Sequence, residues 1–364
     1  MQKLNWRRIV LKVGSALIAP DQDGCRSRYL LTIAQFIVRC RARGIEVILV
    51  SSGSVAAGSH LFPSDIPRSV VMKKAMAAAG QTEMMAMWDR FFDFPSAQLL
   101  LTHGDLRDRE RYESIRETIF TLLEHGVLPI INENDAVTTD DLKVGDNDNL
   151  SAMVAAAADA DALMIFSDVD GLYDKNPNLH DDAVLLPEIK SIDESIYAMA
   201  GCATSSVGTG GMKTKIEAAK ICQLAGCYMV IANGNHKNPI KEMIENQKCT
   251  WFLPRVSKLD ARKQWIIGSV APKGEVIIDQ GAVKAINDGK SLLPAGIKKI
   301  NGIFEKGDHI LVKDQNDFEC ARGLTSFSSI EIEKIKGSHS REIKNILGYS
   351  SREEIIHKDD LVKV

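Results

Sequence analysis

The sequence predicts an α/β domain built on a mainly parallel sheet, followed by a small β-rich domain. Three observations carry this. Six short apolar runs over the first two-thirds of the chain are continuous rather than alternating, as in strands covered on both faces. Helical stretches separate these runs, and strand–helix alternation favours parallel pairing. After about Trp251 the alternation stops, and short apolar runs are broken by Gly, Pro, Asn and Asp.

Taken in order, strands are expected at residues 9–13, 46–50, 98–101, 127–131, 163–166 and 228–231. Helices are expected at 29–43, 70–92, 111–125, 150–160 and 212–225. The first and last of these stop at Gly44 and Gly226, where a left-handed cap costs little. Residues 255–273 hold five basic residues and one acid, and read as a linker. The expected domains are therefore 1–254 and 274–364. The second carries short apolar runs at 274–279, 302–312 and 329–334, with room for a few helical turns. No repeat of 20–50 residues appears.

A chain of 364 residues that is 45% hydrophobic and 26% charged can bury two cores. Its net charge of −3 excludes a general polycation. No apolar run approaches the ~18–20 residues that span a bilayer. Lys12 breaks the N-terminal apolar stretch and no small-residue cleavage site follows, so no signal peptide is expected. The seven cysteines are scattered without a CxxC pair. They read as reduced thiols in a cytoplasmic protein, not as a zinc site or a disulfide framework.

Five segments can carry chemistry. Lys12-Val13-Gly14-Ser15 ends the first strand, where an ammonium can lie over a phosphate and glycine lets the backbone approach it. Ser51-Ser52-Gly53-Ser54 ends the second strand. It suits an anion, and equally a tight turn with a serine cap. No GxSxG elbow is present, so a nucleophilic serine is disfavoured. Residues 132–149 hold six acids against one lysine. This is either a solvated loop or one that recognises an amino group and balances nearby lysines. It lacks the spacing of a calcium loop. Ser167-Asp168-Val169-Asp170-Gly171 follows another buried strand, as a turn or as part of a site. Gly208-Thr209-Gly210-Gly211-Met212-Lys213-Thr214-Lys215 opens a helix, where glycines and the helix dipole favour phosphate. It is not a Walker A loop, and no GxGxxG follows the first strand. Together the five place two lysines, two phosphate-cradling loops and one acidic loop at one sheet edge.

These motifs, with Ile131–Val137 (INENDAV) and Lys143–Asn149 (KVGDNDN), resemble those of the glutamate 5-kinases of the amino acid kinase family. The resemblance covers about residues 5–250, and the tail from about Gly274 is similar to a PUA domain. One departure is Gly14-Ser15-Ala16, where the family has Gly-Thr-Ser; a hydroxyl is kept. The resemblance implies a three-layer αβα sandwich. It also implies ATP- and Mg²⁺-dependent phosphorylation of the L-glutamate side-chain carboxylate, with feedback by L-proline, in a cytoplasmic homo-oligomer. It assigns Lys12, Lys215 and Asp148 to catalysis. Ser52, Gly53, Asn134, Asp135 and Asn147 would bind glutamate. ATP would meet Lys12, Gly14, Ser167, Asp168, Thr209, Gly210, Gly211, Met212, Lys213, Thr214 and Lys215. No metal ligand is assigned.

Two rivals stand beside this. One is a sister kinase acting on another carboxylate or carbamate. The other is an RNA-binding protein working through its tail. Residues 276–364, however, hold 14 basic and 14 acidic residues, without the footprint RNA binding favours.

Overall fold

The structure, a computed structural model, describes residues 6–21, 24–62, 68–138, 147–201, 211–257, 272–349 and 352–363. Most of the expected linker lies outside these residues. The chain divides into two compact units, Met1–Val256 and Ser257–Val364.

The strands of the first unit are β1 (Arg8–Val13), β2 (Glu46–Ser51), β3 (Ser96–Leu101), β4 (Leu128–Glu133), β5 (Ala162–Ser167), β6 (Glu188–Ile189), β7 (Tyr228–Asn233) and β8 (Cys249–Phe252). They form one sheet in the order β3-β4-β2-β1-β5-β7-β8-β6. Every pairing is parallel except β7 with β8. β1 is central and wholly buried, which is why its apolar run is continuous.

The helices of this unit are α1 (Ser15–Ile18), α2 (Leu31–Ala42), α3 (Ser54–Gly58), α4 (Val70–Asp89), α5 (His103–Arg107), α6 (Arg109–Glu124), α7 (Asn147–Ala157), α8 (Glu194–Gly201), α9 (Met212–Leu224) and α10 (Pro239–Ile244). Successive side chains of a strand point to opposite faces. Ile9, Leu11 and Val13 accordingly pack with α1, α2 and α4. Val10 packs with α6, α7 and α9 on the other face. Helix layers on both faces make the three-layer αβα sandwich. The same alternation puts Lys12 on the side of α7 and α9.

Two boundaries differ from the sequence reading in ways that matter, and two short helices are added to it. β4 runs on to Glu133, so Asn132 and Glu133 belong to the strand end. α7 starts at Asn147, not at residue 150, which places Asp148 in its first turn. α1 and α3 are too short for any periodic signal. α3 crosses α4 at close range: a Cβ on Gly58 would overlap the Met76 carbonyl, and one on Gly80 the Ser54 carbonyl. Beside that crossing, buried Trp88 donates its indole N–H to Ser51 Oγ at 2.9 Å, anchoring the end of β2.

The second unit contains β9 (Gly274–Ile278), α11 (Gln280–Asn287), β10 (Ile297–Gly302), β11 (His309–Lys313), β12 (Glu319–Leu324), α12 (Ser329–Ile335), α13 (Ile343–Leu347) and β13 (Leu361–Lys363). Its sheet order is β10-β9-β11-β12-β13, with only β9 and β11 parallel. Val276, Phe304, Val312, Phe327 and Ile332 belong to its separate core. The apolar run at 329–334 is a helix, fixed by a capping box between Ser328 and Glu331. No described helix in either unit is long and apolar enough to cross a membrane.

Candidate active site

Lys12 sits one residue before the end of β1, aligned with Val50 of β2 and Ile165 of β5. Its Nζ lies 2.7 Å from Asp148 Oδ1. Lys215, in the first turn of α9, places its Nζ 3.1 Å from Asp148 Oδ2, and Thr214 donates its hydroxyl to the same oxygen at 2.9 Å. Asp148 is fully buried, and Lys12 and Lys215 are 7% and 3% exposed. Burial pushes the Asp148 carboxyl up, but the two lysines outweigh it and hold its pKa at about 2. Burial lowers the Lys12 pKa, with Asp148 opposing and Lys215 adding to the effect. Within this trio cations outnumber the carboxylate. Asp168 also acts on Lys12, and the carboxyl ends of parallel strands are where anionic ligands bind.

On the β2–β4 side of the trio lies a polar network. Asn147 donates through Nδ2 to Ser52 Oγ at 2.8 Å and to Asn132 Oδ1 at 2.9 Å. Asn132 in turn donates to Gln81 Oε1 at 2.8 Å. Gly53 adopts a left-handed φ of 103° and leads into α3. There Ser54 donates to Asp135 Oδ2 at 2.9 Å. Burial lifts the Asp135 pKa to about 6, against the Ser54 hydrogen bond and with some help from Glu133. Glu133 itself pairs with His103 at 3.1 Å and accepts from Thr138. Asn134 enters through its backbone: its N–H reaches the Leu101 carbonyl and its own carbonyl accepts from Thr138.

On the β5–β7 side, the Gly14 N–H donates to the Phe166 carbonyl at 3.0 Å. A Cβ on Gly14 would come within 3.3 Å of that oxygen. Ser167 donates to Asp168 Oδ1 at 3.0 Å, and its carbonyl accepts from the Gly234 N–H at 2.7 Å. Gly211 is the extended N-cap of α9 and offers no side-chain cap. The first-turn N–H groups of that helix thus face the same edge as Lys215. Met212 is buried, whereas Lys213 is exposed. Thr209 and Gly210 lie outside the described residues, as does the acidic loop between residues 138 and 147.

The structure thus joins Lys12, Asp148 and Lys215 directly, and Asn147 to Ser52. It also gives roles to Ser54 and Asn132, which lie in the quoted segments without an assigned role, and adds Gln81, which the sequence did not single out. Ser54 holds Asp135, Asn132 holds Asn147, and Gln81 holds Asn132. Gln81 left one faint signal, a lone amide among the small and apolar residues of α4. Among the described residues no group of three or more His, Cys, Asp or Glu side chains is placed to hold a metal. Asp148 is committed to two lysines. This donor set builds no metal cage of its own.

The sequence pattern of the amino acid kinase family matches residues 7–233, and that of the PUA domain matches 274–347. Glutamate 5-kinase 1 of Pseudoalteromonas translucida is 68% identical over 344 residues, 94% of each chain. This chain belongs to the amino acid kinase family, in its glutamate 5-kinase branch. Glutamate 5-kinase of Idiomarina loihiensis is 50% identical, covering 100% of this chain and 99% of its own. That of Pelagibacter ubique is 51% identical over 98% of each. Among solved structures, carbamate kinase from Giardia lamblia bound to AMP-PNP aligns with a TM-score of 0.48 at 20% identity, over 69% of this chain and 99% of its own. UMP kinase from Bacillus anthracis aligns at 0.46 and 12%, over 69% and 97%.

Proposed function

We propose that this kinase moves the γ-phosphoryl group of ATP onto the side-chain carboxylate of L-glutamate. The products are γ-glutamyl 5-phosphate and ADP, at the first step of proline biosynthesis. The observation that carries the reading is the buried trio of Lys12, Asp148 and Lys215 between two polar half-sites. A glutamate carboxyl with a pKa of about 4.3 is already ionised at neutral pH, so the acceptor needs no general base. One of its oxygens forms the new bond to phosphorus. The bond from phosphorus to the β–γ bridging oxygen breaks, and that oxygen leaves with ADP. The chain must therefore align two anions and offset their repulsion.

Lys12 and Lys215 take the second task, and Asp148 fixes both ammonium groups where the charge develops. Ser52, Gly53, Asn134, Asp135 and Asn147 take glutamate, with the ionised Asp135 carboxylate facing its α-ammonium group. Gly14, Ser167, Asp168 and residues 209–215 take ATP. Mg²⁺ is the cation we assign to the nucleotide, where it would offset phosphate charge alongside Lys12 and Lys215.

L-Proline keeps the α-carboxylate and a cationic nitrogen but has no side-chain carboxylate to phosphorylate. We assign it to the same subsite as a competitive inhibitor. It should raise the glutamate concentration for half-maximal rate and leave the maximal rate unchanged. A lowered maximal rate at constant half-saturation would reject the shared subsite. We place the enzyme in the cytoplasm as a homo-oligomer, with domains at 1–254 and 274–364. ADP release measured with L-glutamate, L-aspartate, N-acetylglutamate and carbamate tests the acceptor. The expected order has glutamate first in kcat/KM, and a higher value for any other acceptor would overturn the assignment.

A further inference from the structure

Ser167 and Asn233 are register partners at the ends of neighbouring strands β5 and β7. Three residues beyond each, the two loops meet again. His236 Nε2 lies 3.1 Å from Asp170 Oδ1, and Tyr173 donates its hydroxyl to Asp170 Oδ2 at 3.2 Å. Both carboxylate oxygens are thus held, one within its own loop and one from the other loop. The Asp170 and His236 side chains are 25% and 30% exposed, so the bridge stands at the surface of the site. Beneath it the Gly234 N–H to Ser167 carbonyl bond fixes the two strand ends at 2.7 Å.

Lys12 and the start of α9 mark the phosphate end of the ATP site proposed above. Ser167 and Asp168, which that reading also gives to ATP, begin the loop after β5, and the β7 end adjoins it, so the nucleoside side of the site falls over these two loops. We propose that the Asp170–His236 bridge clamps these two loops beneath the nucleoside, so that both act as positioning residues for ATP. The inference rests on that reading of the nucleotide half-site. Asp170 and His236 pair with each other while Asp148 pairs with the two lysines, so the clamp sets nucleotide affinity and leaves turnover alone.

The test measures ATP KM, glutamate KM and kcat in His236→Ala, Asp170→Ala, the double variant and His236→Gln. Each alanine variant should raise ATP KM about two- to fivefold, the range for a partly exposed polar pair. Glutamate KM and kcat should stay unchanged. The double variant should lose no more than Asp170→Ala, because the His236 contact is already gone there. His236→Gln keeps an N–H donor and should recover most of the loss. Unchanged ATP KM in both single variants, additive losses, or an equal fall in kcat would overturn the clamp. Direct binding of a non-hydrolysable ATP analogue separates this from failure of the underlying reading, with Asp168→Ala as reference. Weak binding in Asp168→Ala with normal binding in His236→Ala overturns the clamp alone. Normal binding in both overturns the nucleotide half-site and the clamp with it.

Discussion

Lys12 and Lys215 grip opposite oxygens of one buried carboxylate, Asp148, at 2.7 and 3.1 Å. One lysine comes from the central strand and the other from the first turn of α9, so the pair exists only in the folded chain. Replacing Lys12 or Lys215 with Ala should lower kcat on the order of 10²–10⁴-fold, as expected on removing a charge-stabilising donor. Steady-state assays at saturating ATP and glutamate read this. Near-normal kcat in Lys215→Ala would remove its role.

Asp148→Asn leaves two ammonium groups facing each other in a buried site without their carboxylate. Breaking a buried ion pair costs about 3–5 kcal/mol. A loss of that order in urea unfolding, together with lost turnover, is expected. A variant as stable as the parent would show that the trio is not a closed electrostatic unit.

Asp135 gives a pH signature. Its pKa is lifted to about 6 by burial, so the free enzyme gains a proton there as pH falls through that value. A protonated carboxyl cannot pair with the α-ammonium of glutamate. kcat/KM for glutamate should therefore fall below about pH 6, by roughly tenfold per pH unit at the limit. Asp135→Asn should show a low, flat profile over the same range. An inflection kept in that variant would assign the titration to another group.

Gly80 tests the support beneath the amino-acid half-site. A Cβ there would run into the Ser54 carbonyl and the Gly58 backbone. Gly80→Ala should cost about 1–3 kcal/mol through overpacking. It should also raise glutamate KM, because α3 carries the Ser54 that holds Asp135. Unchanged melting temperature and KM would mean that the helices separate freely.

How much of this was legible beforehand depended on local patterning. Strands buried on both faces announce themselves as continuous apolar runs, and Lys12 stood out as a charge ending one of them. The start of α7 was hidden because Asn147, Asp148 and Asn149 are polar and the apolar period begins only at Leu150. α1 and α3 span fewer than two turns and leave no period to read. The links from Gln81 to Asn132 and from Asn132 to Asn147 join separate elements, and no spacing within one segment encodes them. The bridge from Asp170 to His236 is of the same kind, since β7 returns to the sheet beside β5 only after the helices between them.

The two compact units and their separate cores predict that the kinase unit stands alone. A chain ending near Lys258 should fold cooperatively and retain turnover, since every site residue named above precedes that point. A folded, soluble truncation with no activity would show that the PUA domain completes the site.

The most direct measurement of the central claim traps the product. Incubation with ATP, Mg²⁺, L-glutamate and hydroxylamine should give γ-glutamyl hydroxamate, identified by mass, in step with ADP release. Lys215→Ala run alongside should give almost none. ADP release without hydroxamate, or equal hydroxamate from Lys215→Ala, would contradict phosphoryl transfer to glutamate at this site.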